Sequence, residues 1–280
     1  MTERRVPRTA LARILFSGFI SYFGWAFFGI GMIFFWLFVV PCEIWTIARF
    51  AGDLETAEGT VLFSEFTKVM ENERTVHAIH YTFEVDSKPY QGTSYQARSS
   101  KDGTSVTVEF PKGSPGSSRI QGMRAAPNSW PFVFAGIFPF AGFFMVFFRL
   151  RRGLRAWKLL RSGEQGVAVL AEKKSKDMEI NGQRVYEISF LFDTPQGANQ
   201  VVKATTHRAE RLEDDEEEVV LYMADDPSYA MLLDDMPGAP SIDDHGYVRP
   251  GRMLPAVTGL AVPVFVVGAQ CLYWILRLSR

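Results

Sequence analysis

The sequence predicts transmembrane α-helices, three spans in all, framing two small all-β antiparallel modules that are barrel- or sandwich-like and arranged as a tandem repeat. Three observations carry this. Residues 14–42, 130–148 and 253–276 contain no Asp, Glu, Lys or Arg. A charge near the bilayer centre costs about 2.5–3.5 kcal/mol on insertion scales, so apolar runs of this kind mark membrane spans. The polar segments between them alternate Val, Ile, Tyr and Phe with polar residues and are punctuated by Gly, Pro, Asn and Asp, which is the pattern of antiparallel strands. Landmarks of the first polar segment recur in the second.

Each element follows from local pattern. Residues 1–13, MTERRVPRTALAR, form a basic N-terminus. The uncharged run behind it is 29 residues long, whereas a secretory signal peptide has an apolar region of about 7–15. Residues 14–42 are therefore read as an uncleaved anchor, span 1. At 1.5 Å per residue the run exceeds what a hydrocarbon core of ~30 Å needs, so tilt or protrusion is expected. Residues 56–124 form the first β module, with 8 basic and 8 acidic side chains. Residues 130–148 are span 2. Beyond it Leu150, Leu154, Trp157 and Leu160 recur at helical spacing, with Arg151, Arg155 and Lys158 to one side. Residues 149–162 are thus expected to be a basic amphipathic helix lying in the membrane interface. Residues 163–240 form the second β module. Counted to residue 248, that segment has 7 basic and 19 acidic side chains, a charge that repels nucleic acid and anionic lipid heads alike. Residues 253–276 are span 3. Cys42 and Cys271 both belong to spans, so no disulfide framework staples either module.

Lys and Arg near the span ends set orientation. One face collects Arg4, Arg5, Arg8, Arg13, Arg149, Arg151, Arg152, Arg155, Lys158, Arg161, Arg249 and Arg252; the other has Arg49, Arg119, Arg124, Arg277 and Arg280. The expectation is a multi-pass protein of the cell inner (plasma) membrane. Its N-terminus and the acidic module 163–240 are cytoplasmic, and module 56–124 is non-cytoplasmic.

The repeat is read from matched landmarks. Gly59 in AEGTV and Gly166 in EQGVAV serve as starts, and 27 residues on, HYTFEVD ends at Asp86 and EISFLFD at Asp193. Second strands follow in YQGTSYQA and NQVVKATT, and third strands in VTVEF and VVLYM. Then come a proline (Pro115, Pro227), an apolar position (Ile120, Leu232) and a closing methionine (Met123, Met236). INGQ at residues 180–183 has the Asn-Gly of a two-residue hairpin turn. The copies differ mainly by the acidic run at residues 213–218. A span, a basic stretch, RSGEQGVAV, Y-x-x-x-F-x-x-D and VVLYMADDPSYAMLLDDMP together resemble the bacterial membrane family known as domain of unknown function 3592. The first copy matches through GTV, YTFEVD, VTVEFPKGSP and RIQGM, with FPKGSPGSSRI in place of the usual Tyr-x-Pro-x-(Asp/Asn)-Pro element. The resemblance covers nearly all of residues 45–240. It implies a membrane-tethered β module and supplies no catalytic residues.

Chemistry-bearing patterns are sparse. His77 and His80 sit three apart in TVHAIHYTF, a strand that points them to opposite faces, so no shared metal is expected. His207 stands alone after KATT. Asp243, Asp244 and His245 in SIDDHGY read as a polar linker before span 3, a divalent site being the sharper alternative. Residues 213–218 are six acids without the Gly of a calcium loop, hence a solvated connection or a docking patch for a basic partner. No phosphate loop, G-x-S-x-G elbow or dinucleotide fingerprint occurs, and no cofactor is expected. The spans have no ionisable residue of the kind that marks ion routes. Ser17, Ser21, Gly24 and Gly31 form a small-residue stripe suited to close packing against the other spans or a second copy. Pro139 and Pro263 are placed to kink their helices. Arg149, Arg151, Arg152, Arg155, Lys158 and Arg161 anchor the cytoplasmic side or contact an anionic lipid head group.

The function expected is that of an integral membrane protein acting as a non-enzymatic scaffold or interaction protein of the bacterial envelope. Its partners are the lipid bilayer and a protein partner or second copy, with no nucleic acid and no identifiable small-molecule substrate. Two rivals stand beside it. One is an accessory subunit of a transporter or channel. The other is a membrane-associated enzyme acting on lipid or envelope polymer, with His77, His80 and Ser94 as its candidates.

Overall fold

A computed structural model describes residues 3–180, 182–206, 209–212 and 217–279. The chain divides into two compact units, residues 30–140 and residues 1–29 with 141–280. Its helices are α1 (Arg8–Phe16), α2 (Phe19–Phe34, continued by a π-helical turn Phe35–Val39), α3 (Ile44–Ile47), α4 (Ile137–Ser162, preceded by a 3₁₀ segment Trp130–Gly136) and α5 (Met253–Leu278). Among the described residues three stretches are long and apolar enough to cross a membrane: Phe19–Val39, Trp130–Ser162 and Met253–Leu276, with mean hydropathies of 1.8, 2.0 and 1.9.

The span limits differ from those read in the sequence. Span 1 starts at Phe19 rather than residue 14, because Gly18 takes φ +103° and ends the helical run. Ile14 belongs to α1 and is 1% exposed among Ala10, Leu159 and Leu160. Its apolar character comes from burial in protein. Residues 149–162 continue the helix of the apolar run, since α4 runs unbroken to Ser162. The buried face of that end is Ala156, Leu159 and Leu160, packed on Leu221, Met231 and Met236. Of the anticipated apolar stripe only Leu160 is buried, and Leu154 is exposed. Pro139 lies in the first turn of α4, where a missing N–H leaves no bond unmade, while Pro263 is inside α5.

Residues 30–140 hold an antiparallel sheet of β1 (Leu54–Glu71), β2 (Arg74–Val85), β3 (Lys88–Gln96), β4 (Ser105–Pro111) and β5 (Arg119–Ile120), in the order β3-β2-β1-β4-β5. Asn72–Glu73 and Asp86–Ser87 make its two tight turns, with φ of 48° and 64° and of 52° and 62°, the left-handed pair that a type I′ hairpin requires. Val61, Ile79, Tyr81, Phe83, Val108, Phe110 and Ile120 fill the core. Tyr81 hydrogen-bonds Ser118 at 2.9 Å through its hydroxyl, and any side chain at Gly92 would collide with that hydroxyl.

The other unit holds β6 (Glu164–Ile180), β7 (Gln183–Thr194), β8 (Gly197–Thr206), β9 (Glu217–Tyr222) and β10 (Ala230–Leu232), in the order β10-β9-β6-β7-β8. Ile188, Phe190, Phe192, Val202, Val220, Tyr222 and Leu232 form its core. Both sheets thus follow one walk: a central first strand, then two strands to one side and two to the other. Neither closes into a barrel, although Tyr95 exchanges two backbone hydrogen bonds with Arg124. The register gives a correspondence between the two sheets that differs from the match of sequence landmarks. Val61 pairs with Tyr81 and Leu170 with Phe190; Ala57 pairs with Val108 and Gly166 with Val220. The position matching Gly166 is therefore Ala57, two residues before Gly59. Asn181 of the INGQ turn, His207 and residues 213–216 of the acidic run lie outside the described residues.

Within residues 30–140 the sheet is tied to the helix ends. Asn128, 2% exposed, donates from Nδ2 to the carbonyls of Leu37 (3.2 Å) and Phe38 (2.9 Å). Glu71 Oε1 accepts from Arg124 Nη1 at 2.7 Å and from the Ser129 backbone N–H at 3.1 Å. Burial pushes the Glu71 carboxyl up, but Arg124 and Ser129 together hold it below the usual glutamate range. Glu71→Gln is expected to destabilise this unit by about 1–3 kcal/mol at neutral pH. A carboxyl depressed on folding contributes fully above its unfolded pKa, about 4.3, and loses that contribution as pH falls through the lower folded value. The melting-temperature gap between wild type and Glu71→Gln, measured in detergent, should stay constant above about pH 5.5 and shrink on acidification.

Candidate functional site

The basic segment of α4 was the strongest candidate for ligand contact, and the structure assigns most of it to internal work. Arg149 donates from Nη1 to the Ile14 carbonyl and from Nη2 to the Ser17 carbonyl, both at 2.7 Å. These carbonyls end α1 at the Gly18 break and have no helical partner, so the guanidinium acts as a C-terminal cap from a neighbouring helix. Arg152 pairs with Asp235 at 2.7 Å; burial raises the Asp235 carboxyl above its usual range, and Arg152 opposes that. Arg155 Nη2 reaches the carbonyls of Ser228 (3.4 Å) and Ala230 (3.1 Å), and its guanidinium lies 4.7 Å from the centre of the Tyr229 ring. Lys158 sits over the same ring at 5.1 Å. Arg161 binds Glu3 at 2.7 Å and lies over Trp157. Arg151 has no polar partner among the described residues and is exposed. Of the six, Arg151 and Lys158 keep their hydrogen-bonding capacity for an outside ligand.

Two hollows adjoin this segment. A groove of about 920 Å³ is lined by Arg151, Arg152 and Arg155 of α4, by Val201, Lys203 and Thr205 of β8, and by Tyr229 and Asp235. A cavity of about 580 Å³ is lined by Arg13, Gly18, Tyr22, Arg149, Leu254 and Thr258. Nε of Arg13 is buried without a hydrogen-bond partner.

The small-residue stripe is taken up by packing inside the chain. A Cβ on Gly24 would stand 3.0 Å from Met145 and 3.2 Å from Val146, and one on Gly31 would meet Pro139. Ser21 is 2% exposed. Ser17 falls at the α1–α2 break, where its hydroxyl donates to the Arg13 carbonyl, so it shares no helix face with the others. Three further glycines do the same job and were not part of the stripe. Gly142 abuts the backbone of Phe28, Gly29 abuts Val266, and Gly259 abuts Phe16 and Ser17. Gly142, isolated in a Phe-rich run, was the detectable signal.

The enzyme candidates are held in structural roles. Ser94 is fully buried, and its hydroxyl accepts the Ile120 backbone N–H at 2.8 Å. His80 bridges Glu65 and Thr93, both at 3.1 Å, and stacks on Phe63; His77 packs on Phe66. Asp243 accepts the backbone N–H groups of His245 and Tyr247, closing its own loop. Among the described residues no group of three or more His, Cys, Asp or Glu is placed to hold one metal ion. No family model, curated protein or solved structure matches the chain.

Arg149→Ala leaves two carbonyls without a donor in a low-dielectric setting, where each unmet group costs about 1–3 kcal/mol. Arg149→Ala should lower the melting temperature of the detergent-solubilised protein sharply, and Arg151→Ala should leave it unchanged. Gly142→Leu should likewise lower it, because the leucine forces the α2 and α4 backbones apart.

Proposed function

We propose that this chain is a non-enzymatic scaffold of a bacterial inner membrane that recruits protein partners through two copies of one β module. The observation that carries the reading is the outer edge of β8, which is hydrogen-bonded to β7 alone among the strands and faces β10 across a groove. It is the last strand of its sheet, it lines the 920 Å³ groove with Val201 and Lys203, and Val201 is 51% exposed. An open edge offers backbone donors and acceptors to an extended segment of another chain, while side-chain pockets beside it give selectivity. The common strand order and register of the two sheets, with the resemblance to domain of unknown function 3592, support their origin as copies. The excess of Lys and Arg on one side of the spans supports a cytoplasmic N-terminus and a cytoplasmic acidic module.

Crosslinking in cells, followed by extraction in mild detergent, tests the scaffold. Wild-type protein should yield defined crosslinked species, and Val201→Glu with Lys203→Glu should abolish them while the melting temperature holds. Recovery of free monomer alone from the wild type would remove the reading. Orientation is tested by membrane-impermeant maleimide. Ser100→Cys should label in intact spheroplasts and Ser175→Cys only after permeabilisation; the reverse pattern inverts the topology.

A further inference from the structure

The β1–β2 hairpin carries large apolar side chains that its own fold leaves uncovered. Phe66 is 77% exposed and Met70 is 64% exposed. Hairpin formation does not call for them. β6–β7 pairs in the same way, with register irregularities between Leu170 and Glu172 and between Ser175 and Glu179, where β1–β2 has them between Val61 and Phe63 and between Phe66 and Met70. The places of Phe63, Phe66 and Met70 are thus taken by Glu172, Ser175 and Glu179. At these three places one sheet carries apolar side chains and the other two acids and a serine, although Met178 and Ile180 of β6 are exposed as well, at 57% and 41%. Phe63, Phe66 and Met70 together give the first hairpin an apolar side that suits non-aqueous surroundings.

The position of the hairpin end says what those surroundings are. Glu71, the neighbour of Met70, is hydrogen-bonded to the Ser129 backbone N–H and to Arg124. Ser129 directly precedes Trp130, the first residue of a membrane-spanning stretch. Trp130 and Trp45 are 54% and 58% exposed at this end of the spans, and Trp Nε1 of residue 45 donates to the Val39 carbonyl, the arrangement of an interfacial aromatic belt. Lys68 and Arg74 flank the apolar residues, are exposed, and have no ion-pair partner among the described residues.

We propose that the end of the β1–β2 hairpin is a membrane-surface anchor, seated in the interfacial layer of the bilayer with Met70 and Phe66 against lipid and Lys68 and Arg74 among the head groups. Apolar burial and basic side chains near anionic lipid both favour this seating. It fixes the sheet against the bilayer at a second point besides its covalent links. The proposal rests on the three helices crossing the membrane, and its test separates the two.

Spin labels are placed singly at Met70→Cys, Phe66→Cys, Phe265→Cys and Lys101→Cys in the full-length chain carrying Cys271→Ser. Cys42, 1% exposed, stays unlabelled. The protein is reconstituted in nanodiscs of phosphatidylcholine and phosphatidylglycerol, and collision with oxygen and with a water-soluble nickel chelate is measured. The oxygen-to-nickel accessibility ratio at positions 70 and 66 should exceed that at 101 and approach that at 265. A ratio at position 70 equal to that at 101 overturns the anchor, and so does occlusion from both reagents, which would mean protein covers the site. An aqueous reading at 265 overturns the membrane reading itself.

Discussion

Backbone groups at the apolar boundary must find hydrogen-bond partners, and that single requirement organises the helical part of this chain. Water satisfies a helix end in solution; near hydrocarbon an unmet carbonyl costs several kcal/mol. The chain meets the requirement twice with side chains from distant sequence. Arg149 donates to Ile14 and Ser17 where α1 breaks before α2. Asn128 donates to Leu37 and Phe38 where the π-helical turn ends span 1. The break at Gly18 is tolerable because Arg149 is there, and an arginine so close to the apolar run is tolerable because the break gives it acceptors.

Once the ends are satisfied, the helix faces are free to approach. Lipid tails are as apolar as leucine, so contact depth rather than water release drives helix association in a bilayer. Gly24 and Gly31 on α2 and Gly142 on α4 permit that depth, each replacing what would be a clash with the opposing helix. The basic end of α4 then uses a different currency. Its apolar face meets Leu221 and Met231 of the second sheet and Met236 just beyond it, and Arg152 and Arg155 grip Asp235 and the carbonyls beside Tyr229. The basic residues whose excess was read as an orientation signal fasten a sheet to the end of its helix.

How much of this was legible depends on whether the physics acts through composition or through partners. The apolar helices were legible because each is free of charge over a stretch long enough to cross a membrane. The strands were legible because one face of each is buried, which leaves a period of two. Ile14 was misread because an apolar residue looks alike whether lipid or protein covers it; only the Gly18 break separates the cases. The arginines were placed correctly in sequence, but their acceptors lie 73 residues away for Arg155 with Ser228 and 135 for Arg149 with Ile14. No local pattern reports such pairings.

The repeat frame shows how a strand pattern can be right in kind and wrong in register. Matching Gly59 to Gly166 kept the inward residues of the first strand inward, because a slip of two positions preserves the face of each side chain. Alternation therefore cannot distinguish the frame that pairs Ala57 with Val108 and Gly166 with Val220 from its neighbour two residues away. The hydrogen-bond ladder and its two irregularities can. With the ladder's frame, Phe66 falls opposite Ser175 and Met70 opposite Glu179 as equivalent positions. In the slipped frame Phe66 is compared with Lys173, Met70 with Asp177 and Phe63 with Leu170. Backbone pairing, rather than side-chain type, therefore decides which residues of the two hairpins are compared.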